Sequence, residues 1–185
     1  AAGRGAWESR AMGSRELRAM LELVLQVHGF QIWFCPYFNA DPHPGNILAL
    51  PDGRVGLIDL GQCIAVDDDT KAGLARLVLL LAVPPTGGAE EGIVRELLAL
   101  GVRSENSDAT FLAFVARFSL CRLEAEWFQD NFLQTMFKRD RIVEQPMALL
   151  MAMRAARLLR GFGFQLFENV SLADAWAPYA RRYLE

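Results

Sequence analysis

Apolar residues fall at helical spacing along most of the chain. Leu17, Met20, Leu21, Val24 and His28 share one face of a helix that begins near Arg15, with Ser14 as its cap. Gly29 interrupts the pattern. The apolar run at 30–34 either continues the helix or forms a short buried segment before Pro36 breaks it. His28 sits on the stripe and reads as a hydrogen-bonded, partly buried histidine rather than a catalytic one.

The pattern then changes. Residues 47–50 and 54–58 read as two short strands joined by Pro51-Asp52-Gly53, a turn in which proline presets its dihedral and glycine accepts positive φ. Helical spacing returns afterwards. Asp67 to Asp69 suit a helix start, followed by a stripe of Leu74, Leu77, Val78 and Leu81 and a stop at Pro84-Pro85. The next helix runs from about Ala89 to Leu100, with Ile93, Val94, Leu97 and Leu98 inward and Gly101 as its stop. Ser107 opens a longer one carrying Phe111, Phe114, Val115 and Phe118, which bends or breaks before Phe137. Pro146 fits the first turn of another, with Met147, Leu150, Met151, Arg154 and Leu158, ending at Gly161. Ser171 and Asp174 have capping-box spacing ahead of a short helix with Trp176 and Tyr179. The expected fold class is mainly α (α+β), helical with one short β-hairpin.

Composition narrows the function. The 185 residues suffice for one domain with a real core. A net charge of -3 does not suggest a nucleic-acid partner. Cys35, Cys63 and Cys121 are widely spaced, which argues against a disulfide framework or zinc site and for a reducing compartment. The longest apolar run, about 77–83, is too short to span a bilayer. Residues 1–13, rich in Ala, Gly and Arg, read as a disordered leader, the end of a transit peptide being the alternative. The absence of an initiator methionine suggests a piece of something longer.

The chemistry concentrates in residues 39–62, NADPHPGNILALPDGRVGLIDLGQ. Pro42, Pro44 and Gly45 make a stiff, sharply turned loop between Asp41 and Asn46. A hairpin returns the chain to its starting end, so Asp59 should lie near Asn46. An amide oxygen and a carboxylate converging there are hard ligands suited to Mg²⁺, with the other octahedral positions left for water and phosphate oxygens. Asp41 would then face an acceptor hydroxyl or water as a positioning group or base. His43 could lie over the transferred phosphate, though as a weaker cation than lysine. The plainer alternative is a capping Asp, a turn Asn and a loop Asp. A catalytic-loop Asp, an Asn five residues on and a later Asp of Asp-Phe-Gly are the protein-kinase pattern.

ADPHPGN followed by LPDGRVGLIDLGQ resembles the signature of the UbiB-type atypical kinases, the aarF-domain family, and the tail GFGFQLFENVSLADAWAPYARRYL resembles the end of that family's kinase-like domain. The resemblance covers residues 14–185. It implies that Asp41 is the catalytic-loop aspartate, with His43 beside it. Asn46 and Asp59 would be the metal ligands, and Asp59-Leu60-Gly61 would stand for Asp-Phe-Gly, with Gly61 among the nucleotide-binding residues. The implied cofactors are Mg²⁺ and ATP or ADP. The implied activity is that of an ATPase or small-molecule kinase in prenylquinone metabolism, in mitochondrion or plastid, with a prenyl lipid or membrane surface as a partner.

Asn39 stands where the family has His, and Pro36 where it has Gly. The motifs of the family's small lobe are not found, so the expected domain is the large lobe, its partner being the small lobe or upstream chain. Losing half the nucleotide clamp should leave the chain inactive in isolation, or nearly so. The competing expectations are a truncated pseudokinase module that binds a lipid or protein without catalysis, and a helical scaffold with an accidental polar cluster.

Overall fold

The computed structural model describes residues 14–50, 52–84 and 88–185. The leader expected over 1–13, the cap expected of the Ser14 side chain, and Pro51 and Pro85 of the expected turn and stop lie outside that description. The described residues form seven α-helices, two short 3-10 helices (Pro44–Asn46 and Ala125–Phe128) and three two-stranded antiparallel pairs: α1 (Ser14–Phe34), β1 (Tyr37–Asn39), β2 (Ile47–Ala49), β3 (Val55–Leu57), β4 (Cys63–Ala65), α2 (Asp68–Leu81), α3 (Ala89–Ala99), β5 (Arg103–Ser104), α4 (Ala109–Leu120), α5 (Phe132–Arg139), β6 (Ile142–Glu144), α6 (Met147–Gln165) and α7 (Leu172–Leu184). The fold is mainly α with short strands, as expected. β2 and β3 are the expected hairpin. The pairs β1–β4 and β5–β6 are additional.

α1 runs unbroken through Gly29, so the 30–34 segment continues the helix. A Cβ on Gly29 would stand 2.7 Å from Tyr179 Cδ2 and 3.0 Å from Trp176 Cδ1. The glycine is there because α7 presses on α1, not because the helix stops. Across that contact Trp176 meets Trp33 edge-to-face at 6.4 Å, and its Nε1 donates to the Leu25 carbonyl at 3.2 Å. Trp33 Nε1 donates in turn to the Lys71 carbonyl, and Lys71 Nζ to the Cys35 carbonyl at the end of α1. α7 thus packs on both α1 and α2. A second, smaller cluster forms around Phe114, Trp127 and Met136.

α2 begins as expected: Asp67 accepts from the Thr70 N–H at 2.8 Å, and Leu74, Leu77, Val78 and Leu81 are all buried. Ser171 likewise caps α7 by accepting from the Asp174 N–H. Gly101 ends α3 at φ +91°. Three expectations are corrected. The cap of α4 is Asp108, which accepts from the Phe111 N–H, whereas Ser107 precedes it at φ 54°. Leu98 points outward, 38% exposed. α6 does not end at Gly161, because burial of Phe162 and Gly163 carries it to Gln165, and its inner face is Leu149, Ala152, Met153, Ala156 and Leu159.

His28 is fully buried, with Nδ1 bonded to the Val24 carbonyl at 2.9 Å and Nε2 without a partner. Burial pushes its imidazole below the ordinary 6.5, with the Val24 bond opposing. The unfolded chain therefore takes up a proton near pH 6.5 that the folded chain refuses. Stability should fall as pH drops below 6.5, by at most about 1.4 kcal/mol per pH unit. Denaturant unfolding at pH 7.5, 6.0 and 5.0 checks this, and His28→Leu should flatten the slope.

Asp140 acts in a lower window. Burial raises its carboxyl, but the backbone N–H groups of Asp108, Asn106 and Arg141 outweigh burial and hold it at about 2. Its contribution is present above the unfolded value of 3.8 and is lost as pH falls towards 2.

Candidate functional site

The site is built where two strand pairs meet. β1 pairs with β4 in the register Tyr37↔Ala65, Phe38↔Ile64, Asn39↔Cys63, which places residues 40–46 beside residues 58–62. β2 pairs with β3, Ile47↔Leu57 to Ala49↔Val55, around a turn in which Gly53 takes φ +83°. One more bond, Ile58 N–H to the Asn46 carbonyl at 3.1 Å, carries that ladder to the residue before Asp59.

The hairpin therefore brings Asn46 and Asp59 together. Asn46 Nδ2 lies 3.5 Å from Asp59 Oδ2. Cis ligands of an octahedral Mg²⁺ at about 2.1 Å are about 3.0 Å apart, and an Asn amide can turn its oxygen to the place of its nitrogen. A small inward movement would let this pair hold Mg²⁺, so the residues fit the metal. The other carboxylate oxygen, Oδ1, accepts from the Gly61 N–H at 2.8 Å, which fixes the Asp59 side chain and leaves Oδ2 towards Asn46. A methyl group on Gly61 would stand 3.1 Å from that same Oδ1. Gly61 thus bears on the orientation of Asp59.

Asp41 begins the loop. Its carbonyl accepts from the His43 N–H at 2.7 Å, and the His43 carbonyl accepts from the Asn46 N–H at 2.8 Å, closing a single 3-10 turn over Pro44–Asn46. His43 is exposed, and its Nδ1 accepts from the Gly45 N–H at 3.1 Å, so the ring caps its own turn. The loop shape thus comes from local bonds and two prolines, and needs no ligand.

Two residues outside the expected set hold these loops together. Asn39 is buried. Its Oδ1 accepts from the Asp41 N–H at 2.9 Å, and its Nδ2 donates to the Asp59 carbonyl at 3.0 Å. One amide thereby serves both loops, in the place where the resemblance expects histidine. Arg154 of α6 donates to Asp41 Oδ1 at 3.2 Å and to Gln62 Oε1. A charge on an otherwise apolar helical stripe was the signal for Arg154. For Asn39 the signal was its place two residues before Asp41.

Asn39→Leu would leave the Asp41 N–H and the Asp59 carbonyl without partners, at about 1–3 kcal/mol each. Asn39→His keeps one donor and one acceptor and should retain most of the stability. Thermal midpoints of the two variants test this, the leucine variant being expected to melt well below the histidine one.

Asp41 on a loop, and Asn46 and Asp59 brought together by a hairpin on a helical body, have the arrangement of a kinase-like domain. Comparison with known proteins points the same way: residues 9–86 match the model of the ABC1 atypical kinase-like domain. An uncharacterized protein of Synechocystis sp., slr1919, is 27% identical over 177 residues, covering 91% of this chain and 28% of the relative. The chloroplastic protein ACTIVITY OF BC1 COMPLEX KINASE 3 of Arabidopsis thaliana is 26% identical over 189 residues, covering 96% of this chain and 26% of the relative. The chain therefore spans little more than a quarter of these relatives. No solved structure matches it. Among the described residues no helix is long and apolar enough to cross a membrane.

Proposed function

We propose that this chain carries the metal-binding half of a Mg²⁺-nucleotide site, in the large lobe of an ABC1-type ATPase or small-molecule kinase. The observation that carries the reading is the convergence of Asn46 and Asp59 at 3.5 Å, with Asp41 on the adjoining loop. Asn46 Oδ1 and Asp59 Oδ2 would hold Mg²⁺, which when bound neutralises phosphate charge. Asp41 orients the acceptor hydroxyl or water, or takes its proton. His43 lines the same loop.

The remaining clamp on the nucleotide is proposed to come from chain outside these 185 residues. Two findings support this. The relatives are several times longer, and the surface around the site is apolar: Tyr37, Leu48, Ile58 and Leu60 are exposed, Ile58 and Leu60 by 60% and 61%. Phosphoryl transfer depends on positioning and fixed charge, so half a clamp should bind nucleotide weakly and turn it over at or near the uncatalysed rate. The chloroplastic relative of Arabidopsis thaliana supports a plastid setting, and the family resemblance supports prenylquinone metabolism and a prenyl lipid or membrane surface as partner.

An ATP hydrolysis assay on the 185 residues tests the half-site. No rate above buffer is expected. A clear rate that disappears in Asp59→Asn would overturn it.

A further inference from the structure

We infer that Arg154 is a positioning residue for this site: from α6 it fastens the loop bearing Asp41 to the turn bearing Asp59. The inference rests on the reading of Asn46 and Asp59 as the Mg²⁺ pair, and extends the site to a helix far along the chain.

Arg154 lies at the edge of the buried face of α6, beside Met153, with its side chain about a third exposed. Its two terminal nitrogens take different partners. Nη2 donates to Asp41 Oδ1 at 3.2 Å and Nη1 to Gln62 Oε1. Asp41 and Gln62 belong to the two separate loops of the site. A backbone bond already joins those loops, from the Ala40 N–H to the Gln62 carbonyl at 3.0 Å. The guanidinium closes a ring over that bond, through Asp41, Arg154 and Gln62. Gln62 directly follows the Asp59–Gly61 turn, so holding it also holds the turn that aims the Asp59 carboxylate.

The chemistry suits arginine rather than lysine. A planar fork spans two acceptors at once, whereas an ammonium on a flexible stem holds one of them well. The pair contributes little to overall stability, since both side chains are partly in water and such pairs are worth about 0–1 kcal/mol. Its effect should instead show in ligand affinity. Groups that orient the ligating side chains of a metal site typically change metal affinity about 10–100-fold when removed.

The test is a calorimetric titration of Mg²⁺-ADP into the unmodified chain and into Arg154→Ala, Arg154→Lys and Arg157→Ala, with thermal midpoints measured without ligand. Arg157 is exposed on the same helix and serves as the control. Arg154→Ala should weaken Mg²⁺-ADP about 10-fold with a midpoint shift under about 4 °C. Arg154→Lys should recover part of the affinity, and Arg157→Ala should match the unmodified chain. Amide exchange at Ala40, His43 and Asn46 should quicken in Arg154→Ala and not in the α2 core. If affinity is indifferent to Arg154, or falls only together with the midpoint, the positioning role is overturned and the metal site stands. If the unmodified chain does not bind Mg²⁺-ADP, both are overturned.

Discussion

Asp59→Ala should weaken Mg²⁺-ADP binding on the order of 100-fold or more while leaving the unliganded fold intact. The side chain is exposed, and the Gly61 N–H it accepts from lies in an exposed turn, so its loss exposes no core. What is lost is the carboxylate, the anionic member of the proposed metal pair. Mass action converts this to a melting shift. At nucleotide 100 times its dissociation constant, binding stabilises the native state by about 2.7 kcal/mol; a 100-fold weaker site gains about 0.4 kcal/mol. For a chain of this length that is a fall from about 5–11 °C of ligand-induced shift to about 1–2 °C. Asn46→Ala should follow the same course more mildly, because a neutral ligand is lost. Calorimetric titration at fixed Mg²⁺ measures both.

Trp176→Ala should be the most damaging single change to the fold, at about 3–5 kcal/mol, or roughly 6–20 °C in the midpoint. Trp176 is fully buried and joins helices distant in sequence: it stacks edge-on against Trp33, bonds to the Leu25 carbonyl and covers Gly29. A cavity there cannot close easily, since the glycine offers nothing to fill it. Natural domains are stable by only about 5–15 kcal/mol, so the variant should be partly unfolded at moderate temperature. Trp176→Phe keeps most of the volume and should lose far less. Chemical denaturation followed by circular dichroism distinguishes the two.

The helices were legible where local chemistry and burial agree. Asp67 caps α2 and Ser171 caps α7, and the residues after Asp67 repeat at helical spacing. The hairpin was legible because its turn fixes its register. The pairs β1–β4 and β5–β6 were not: strands of two or three residues carry no period, and their partners lie far along the chain. Glycine was ambiguous. Gly29 left open whether the helix continued, which packing against α7 decides, and Gly161 read as a stop, but burial of the residues beyond carries the helix on. In the candidate site, the approach of Asn46 to Asp59 followed from spacing, because a hairpin is local. Asn39 and Arg154 did not. Asn39 had looked like a departure from the pattern, yet its amide makes the two bonds that join the loops. Arg154 reaches the site only through the tertiary packing of α6.

The most direct test of a Mg²⁺-nucleotide site in this chain is the thermal midpoint of the unmodified chain with ADP and with ATP, each with and without Mg²⁺. A nucleotide-induced rise that requires Mg²⁺ and vanishes when the metal is chelated is expected. No rise at millimolar nucleotide, or a rise of the same size without Mg²⁺, would contradict a metal site at Asn46 and Asp59.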